Sequence, residues 1–179
     1  MRPVNLRRAK TPADIEIVAA MWVRSAAWLY SKGSDQWQYP VKMANIEAAV
    51  AADACWLAYR DDTSIGTITL DTNAEPQYWP PEDEPNNALY VHRMVVEEAG
   101  RGEEIGSALL DWAGQRAENM GRRWLRLDAW RSNHALHRYY EDRGFELVRT
   151  VLDPSGSGTC FQREASLRLG RGPAIRADG

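Results

Sequence analysis

The sequence predicts an α/β domain built around one mixed β-sheet. Alternating β-rich runs and segments of helical spacing follow one another in the order β-α-α-β-β-β-α-β-α-β-β. A length of 179 residues suits one domain, and 44% hydrophobic with 26% charged residues is ordinary for a packed core. Collagen-like, low-complexity and wholly disordered chains are excluded by that composition. A net charge of −3 argues against a protein whose main task is coating nucleic acid. Eight Trp and seven Tyr against two Phe is unusual in so small a chain.

The elements read in order as follows. Val4–Arg8 (VNLRR) is a short first strand. Thr11 then supplies an N-cap, Pro12 the first helical position and Asp14 an acid in the first turn. Ile15, Val18, Ala19, Trp22 and Ala26 keep helical spacing until Gly33. Residues 33–40 (GSDQWQYP) form a loop, and residues 42–52 a second helix. Cys55–Arg60 and residues 65–71 alternate around an Asp-Asp-Thr-Ser turn, as a hairpin does. Residues 72–87 hold four prolines without periodicity, a length usually functional or disordered. Ala88–Val96 is the next strand and leads through a Gly-containing turn into a helix that Gly121 ends. Trp124–Ala129 is a strand, 134–143 a helix, and 145–152 and 159–163 a closing hairpin. Residues 167–179, rich in Arg and Gly, read as a flexible tail behind one domain at 1–166.

Asp14 and Glu16 interrupt any apolar stretch near the start, so no signal peptide is expected. The longest apolar run has seven residues (17–23), far below the roughly 20 needed to span a bilayer. Cys55 and Cys160 are too few and too distant for a disulfide framework or zinc site. A cytoplasmic protein without metal or membrane partner is the expectation.

The strand, turn and helix at 88–120 carry the most chemistry. A helix N-terminus presents free N–H groups and a positive dipole end, which favour a phosphate. Gly100, Gly102 and Gly106 let a ligand approach the backbone. Two stretches, LYVHRMVVEEAGRGEEIGSALLDWA at 89–113 and LRLDAWRSNHALHRYYEDRGFELVR at 125–149, resemble the GNAT superfamily of N-acyltransferases. The family's Arg/Gln-x-x-Gly-x-Gly/Ala turn aligns with Arg101, Glu104 and Gly106. Its later spacing of Asn, Tyr and Gly-Phe aligns with Asn133, Tyr140, Gly144 and Phe145. Glu104 departs from the pattern by replacing the first Gly, with Glu97, Glu98 and Glu103 close by.

The resemblance implies a GNAT fold whose fourth and fifth strands splay apart within a sheet flanked by about four helices. It also implies acetyl-CoA as co-substrate. The pantetheine arm would lie along Met94, Val95 and Val96. The pyrophosphate would sit on the turn amides of Arg101, Gly102, Glu104, Ile105, Gly106 and Ser107, with Asn133 also on the cofactor side. Carboxylates near a pyrophosphate repel it unless they point to solvent. Tyr140, at the family's acid position, would protonate the departing thiolate. His92 suits removal of the amine's proton near neutral pH, or is a satisfied strand histidine.

On the acceptor side, Trp37 and Trp79 stand on loops as candidate substrate walls, with Asp128 and Phe161 as further contacts; Trp22, Trp56, Trp112 and Trp124 read as core. The reading that follows is an N-acetyltransferase for a primary amine of a small molecule. Its rivals are a transferase using another acyl donor such as aminoacyl-tRNA, and a silent GNAT-fold binding module. Arg122, Arg123, Arg126, Arg131 and Arg138 read as a solvated basic face. The exposed edge of the last hairpin offers a second copy a place to pair as a homodimer.

Overall fold

Thr11 begins the first helix as its residue type allows. Its hydroxyl accepts the Asp14 N–H at 3.2 Å, while the Asp14 carboxylate accepts the Thr11 N–H at 3.0 Å, a reciprocal capping box. The computed structural model describes residues 1–178. Its elements are β1 (Val4–Arg8), α1 (Pro12–Ser31), α2 (Met43–Ala51), β2 (Cys55–Arg60), β3 (Thr63–Asp71), β4 (Ala88–Val96), α3 (Ile105–Asn119), β5 (Trp124–Ala129), α4 (His134–Glu141), β6 (Glu146–Thr150), β7 (Thr159–Glu164) and β8 (Ile175–Ala177). The strands form an open mixed sheet in the order β6-β7-β5-β4-β3-β2-β1-β8. Among the described residues no helix is long and apolar enough to cross a membrane.

Where the sequence reading treats 1–166 as one domain, contacts gather the chain into two compact units that alternate along it. The first comprises Met1–Leu70, Arg93–Leu109 and the chain from Gly170; the second comprises Asp71–His92 and Leu110–Leu169.

In the first unit, β1 pairs antiparallel with β2, and β2 with β3, the latter with an irregularity at Ala58/Tyr59. Val18, Met21 and Trp22 of α1 and Ile46 and Val50 of α2 pack with Cys55 and Leu57 of β2 and Val95 of β4. Each such fully buried side chain contributes about 1.5–3 kcal/mol of transfer free energy. The tail expectation is corrected here. Ile175–Ala177 pairs in parallel with Val4–Leu6, and the flanking bonds are Val4 N–H to Ala174 O and Asp178 N–H to Leu6 O. Gly172 (φ +85°) lies so close to the Glu104 carbonyl that a Cβ there would collide with it. The Arg/Gly composition that suggested fraying instead supplies the left-handed turns at Gly170 and Gly172 that bring the chain back to β1.

In the second unit, β7 runs antiparallel to both β5 and β6. The Pro-rich segment 72–87 is fastened down by two arginines. Arg126 lies 4.6 Å from the Trp79 ring and donates to the Asp83 carbonyl at 2.7 Å. Arg149 pairs with the Asp83 carboxylate and donates to the Tyr78 carbonyl at 2.7 Å. Tyr78 donates its hydroxyl to Asp153 at 2.6 Å. The segment is therefore part of a core in which Tyr78, Trp79, Ala88, Tyr90 and Cys160 are buried.

Asp14, only 2% exposed, is the main buried charge of α1. It accepts from Arg7 at 2.7 Å, from Lys10 N–H at 2.8 Å and from Thr11 N–H. The Arg7 guanidinium, then these amides, hold its carboxyl far below the usual range against the opposing cost of burial. Replacing it leaves two amides without an acceptor, whereas the half-exposed Arg7 side chain can turn to water. Asp14→Ala is expected to cost about 2–3 kcal/mol in urea unfolding. Its folded pKa lies below the unfolded value of about 3.9, so the contribution is complete above that pH and disappears as the pH falls. The wild type should lose this increment in acid, and Asp14→Ala has none to lose.

Candidate functional site

In the first unit, β4 ends at Val96 and residues 97–104 turn the chain into α3. Gly102 (φ +79°) and Glu104 (φ +56°) take the left-handed conformation in that turn, and Arg93 (φ +46°) takes it within β4 itself. A side chain there costs about 1–2 kcal/mol. Glu104 thus occupies a position whose backbone explains why the related pattern has glycine. At the start of α3, Ala108 N–H bonds the Glu104 carbonyl at 3.1 Å. Arg101, Gly102 and Glu104 are exposed at the turn, whereas Ile105, Gly106 and Ser107 are buried. Met94 and Val96 are half-buried, and Val95 belongs to the core.

The carboxylates crowding this turn are largely spoken for. Glu97 pairs with Arg24 at 2.9 Å, and Arg60 grips Glu103 with bonds of 2.9 and 2.6 Å. Arg60 holds the Glu103 carboxyl below its ordinary pKa. Glu104 accepts the Ser107 hydroxyl at 2.5 Å. The Arg101 guanidinium lies 4.2 Å from the Trp28 ring. Nearby in the chain, Trp37 (φ +60°) holds its ring 5.2 Å from Trp22. For a bulky residue that backbone is an outlier, and such strain collects at functional sites.

In the second unit, β4 and β5 pair in parallel only over Ala88–Tyr90 with Trp124–Arg126, although both strands continue; this is the splay. Beyond that point β5 carries Asp128, half-buried, whose carboxylate accepts the Ser157 hydroxyl. Tyr140 is 7% exposed and packs edge-on against Phe145 at 5.6 Å. Burial first, then the charges of Tyr139 and Asp128, raise its pKa. His92 Nε2 lies 3.1 Å from Asp71 Oδ1. Asp71 carries no signal in the sequence, because an acid at a strand end is most often a turn residue. No group of three or more His, Cys, Asp or Glu residues able to hold a metal ion is found among the described residues.

The acetyltransferase (GNAT) domain family matches residues 51–147, over half of the chain. The chain belongs to the GNAT family. It is 26% identical over 141 residues to the uncharacterised N-acetyltransferase YesJ of Bacillus subtilis (strain 168), across 75% of this chain and 78% of that protein. A GNAT-family acetyltransferase structure from Listeria monocytogenes 4b F2365 superposes with a TM-score of 0.72 at 23% identity, covering 89% and 93% of the two chains. Aminoglycoside acetyltransferase AAC(6')-Ib, in complex with coenzyme A and kanamycin, gives 0.67 at 19% identity, covering 90% and 94%. At these identities the two structures establish the GNAT fold.

Several residues expected at the GNAT site have other work. Trp79 and Phe161 are 2% and 1% exposed, so the substrate-wall and contact expectations for them are corrected: each is core, Trp79 beneath Arg126 and Phe161 beside Tyr140 and His137. Asn133 caps α4 by accepting the Leu136 N–H at 3.0 Å. Cys160 is buried, and desolvation pushes its thiol up to about 12, unsuited to a nucleophile. Arg126 and Arg131 are clamps on backbone carbonyls and not parts of a solvated face. Trp37 and Asp128 remain half-buried and within reach of solvent.

Gly66 of β3 lies against the carbonyl of Val95, where a Cβ would stand 2.7 Å from that oxygen. The obstacle is backbone, which cannot swing aside. Gly66→Ala should therefore cost about 1–3 kcal/mol, read by thermal unfolding, by pushing β4 out of place beside the turn.

Proposed function

We propose that the chain transfers an acetyl group from acetyl-CoA to a primary amine of a small molecule in the cytoplasm. The observation that carries the reading is the turn from β4 into the fifteen-residue α3, where left-handed Gly102 and Glu104 lead into the helix start beside the exposed Arg101. Fixed N–H donors at a positive dipole end suit a pyrophosphate. Glu97 and Glu103 are held by Arg24 and Arg60, which lessens the repulsion their charges would exert. The neighbour whose complex contains coenzyme A and kanamycin supports acyl-CoA as donor and an amine-bearing small molecule as acceptor. Both cysteines are buried free thiols, in keeping with a reducing compartment.

The acceptor arrives as an alkylammonium of pKa about 10 and must lose a proton before its lone pair can attack. The thioester carbon–sulfur bond then breaks, and the sulfur leaves with the bonding pair. Tyr140 donates the proton that this sulfur takes. Burial keeps its phenol protonated at neutral pH, the state a donor requires. Trp37 and Asp128 are the acceptor contacts of this reading, an aromatic face and an anion suited to a cationic amine.

Calorimetry with acetyl-CoA tests the donor. Micromolar binding, about −8 kcal/mol, is expected, and no binding at millimolar concentration overturns the reading. Tyr140→Phe should keep that affinity while kcat falls at least about 10-fold; an unchanged kcat removes Tyr140 from the reaction. Glu104→Gly removes a charge from the pyrophosphate's surroundings and fits the left-handed backbone. It should tighten acetyl-CoA binding by about fivefold, close to 1 kcal/mol, and by more at low salt.

A further inference from the structure

We propose that Asp71 is a positioning residue that holds His92 as the proton acceptor of the reaction, an inference that rests on the acetyl-transfer reading above. Strand neighbours bring the two together. β3 lies beside β4 in the sheet, and the last residue of β3 places its carboxylate 3.1 Å from His92 Nε2. The carboxylate is itself oriented, because the same Oδ1 accepts the Asn73 N–H at 2.8 Å. The result is a chain from a backbone amide through a carboxylate to an imidazole.

An ionised carboxylate can only accept, so the nitrogen facing it must be the protonated one. Asp71 therefore fixes the Nε2–H tautomer and leaves the lone pair on Nδ1. With its side chain 22% exposed, His92 is neither sealed in the core nor freely rotating in water. The chain's other two histidines differ. His137 Nε2 faces the Trp130 carbonyl at 2.8 Å, and His134 lies exposed beside the His137 ring. Among the described residues, His92 alone has a carboxylate partner.

The protons then balance. The ammonium gives one proton to His92 Nδ1, its N–H bonding pair staying on nitrogen, and the resulting imidazolium is steadied by Asp71. The nitrogen bonds to the thioester carbon and the carbon–sulfur bond breaks. The second proton shed by nitrogen balances the one the sulfur receives through Tyr140. His92 returns its proton to water, so alkylammonium and acetyl-CoA yield amide, free CoA and one released proton.

Two measurements test the assignment. With three histidines in the sequence, imidazole 15N spectra assigned through His92→Gln report the His92 tautomer directly. A protonated Nε2 and a bare Nδ1 are expected in the wild type, and a mixture in Asp71→Asn, whose carboxamide can present oxygen or nitrogen. In acetyl-transfer assays, Asp71→Asn should lower kcat by about 10-fold or more while KM for acetyl-CoA stays within about twofold, with partial recovery in Asp71→Glu. Asp71→Asn should add little to His92→Gln when combined, as expected of residues acting as a unit. A wild-type Nδ1–H tautomer alongside intact turnover, or an unchanged kcat in Asp71→Asn, overturns the inference and leaves acetyl transfer standing. Absence of turnover with any amine, despite the Nε2–H tautomer, overturns acetyl transfer itself and the relay with it.

Discussion

The rest of the molecule is arranged around the early parting of β4 from β5. Their parallel pairing lasts three residues a side and stops at Tyr90 and Arg126, though each strand continues. Buried backbone N–H and C=O groups must find partners. A strand released from its neighbour within a sheet is therefore a place where another extended chain can bond. The resemblance to GNAT proteins implies that the pantetheine arm of the acyl donor would lie along β4, at Met94, Val95 and Val96. The left-handed Arg93 lies in the same strand, and a Cβ-bearing residue keeps that conformation only where its surroundings enforce it.

Charge is managed locally. An overall balance of −3 conceals a turn crowded with carboxylates and a chain whose basic residues are mostly arginine. Arginine's planar fork suits both jobs seen here. It neutralises carboxylates two bonds at a time, as Arg60 does for Glu103, and it clamps carbonyls while lying over an aromatic ring, as Arg126 does with Asp83 and Trp79. Arg7 does a third version of this, joining buried Asp14 to the Tyr59 hydroxyl across its own sheet. These contacts give part of the chain's unusual Trp and Arg content a packing role.

The element order was legible from the first strand to the seventh, because alternation and helical spacing are local properties of neighbouring residues. The turn from β4 into α3 was legible for the same reason, since its glycines and helix start lie together in the chain, as do Asn133, Tyr140, Gly144 and Phe145 further on. The strand at 175–177 was not, since its only support is pairing with residues some 170 positions earlier. Nor were the fates of Trp79 and Phe161. A Pro-rich loop looks open in sequence until distant Arg126 and Arg149 close on it, and a last-hairpin aromatic can face either side of its sheet.

Sequence by itself therefore determined the fold, the GNAT membership and the position of the glycine-containing turn between β4 and α3, because each depends on patterns written within short windows. Tertiary structure alone decided which aromatics are core and which are free, how the glutamates of the turn are paired, and that Asp71 meets His92. Those outcomes depend on which residues of separate strands come within about 3 Å of each other, the range of a hydrogen bond. No local pattern records that distance.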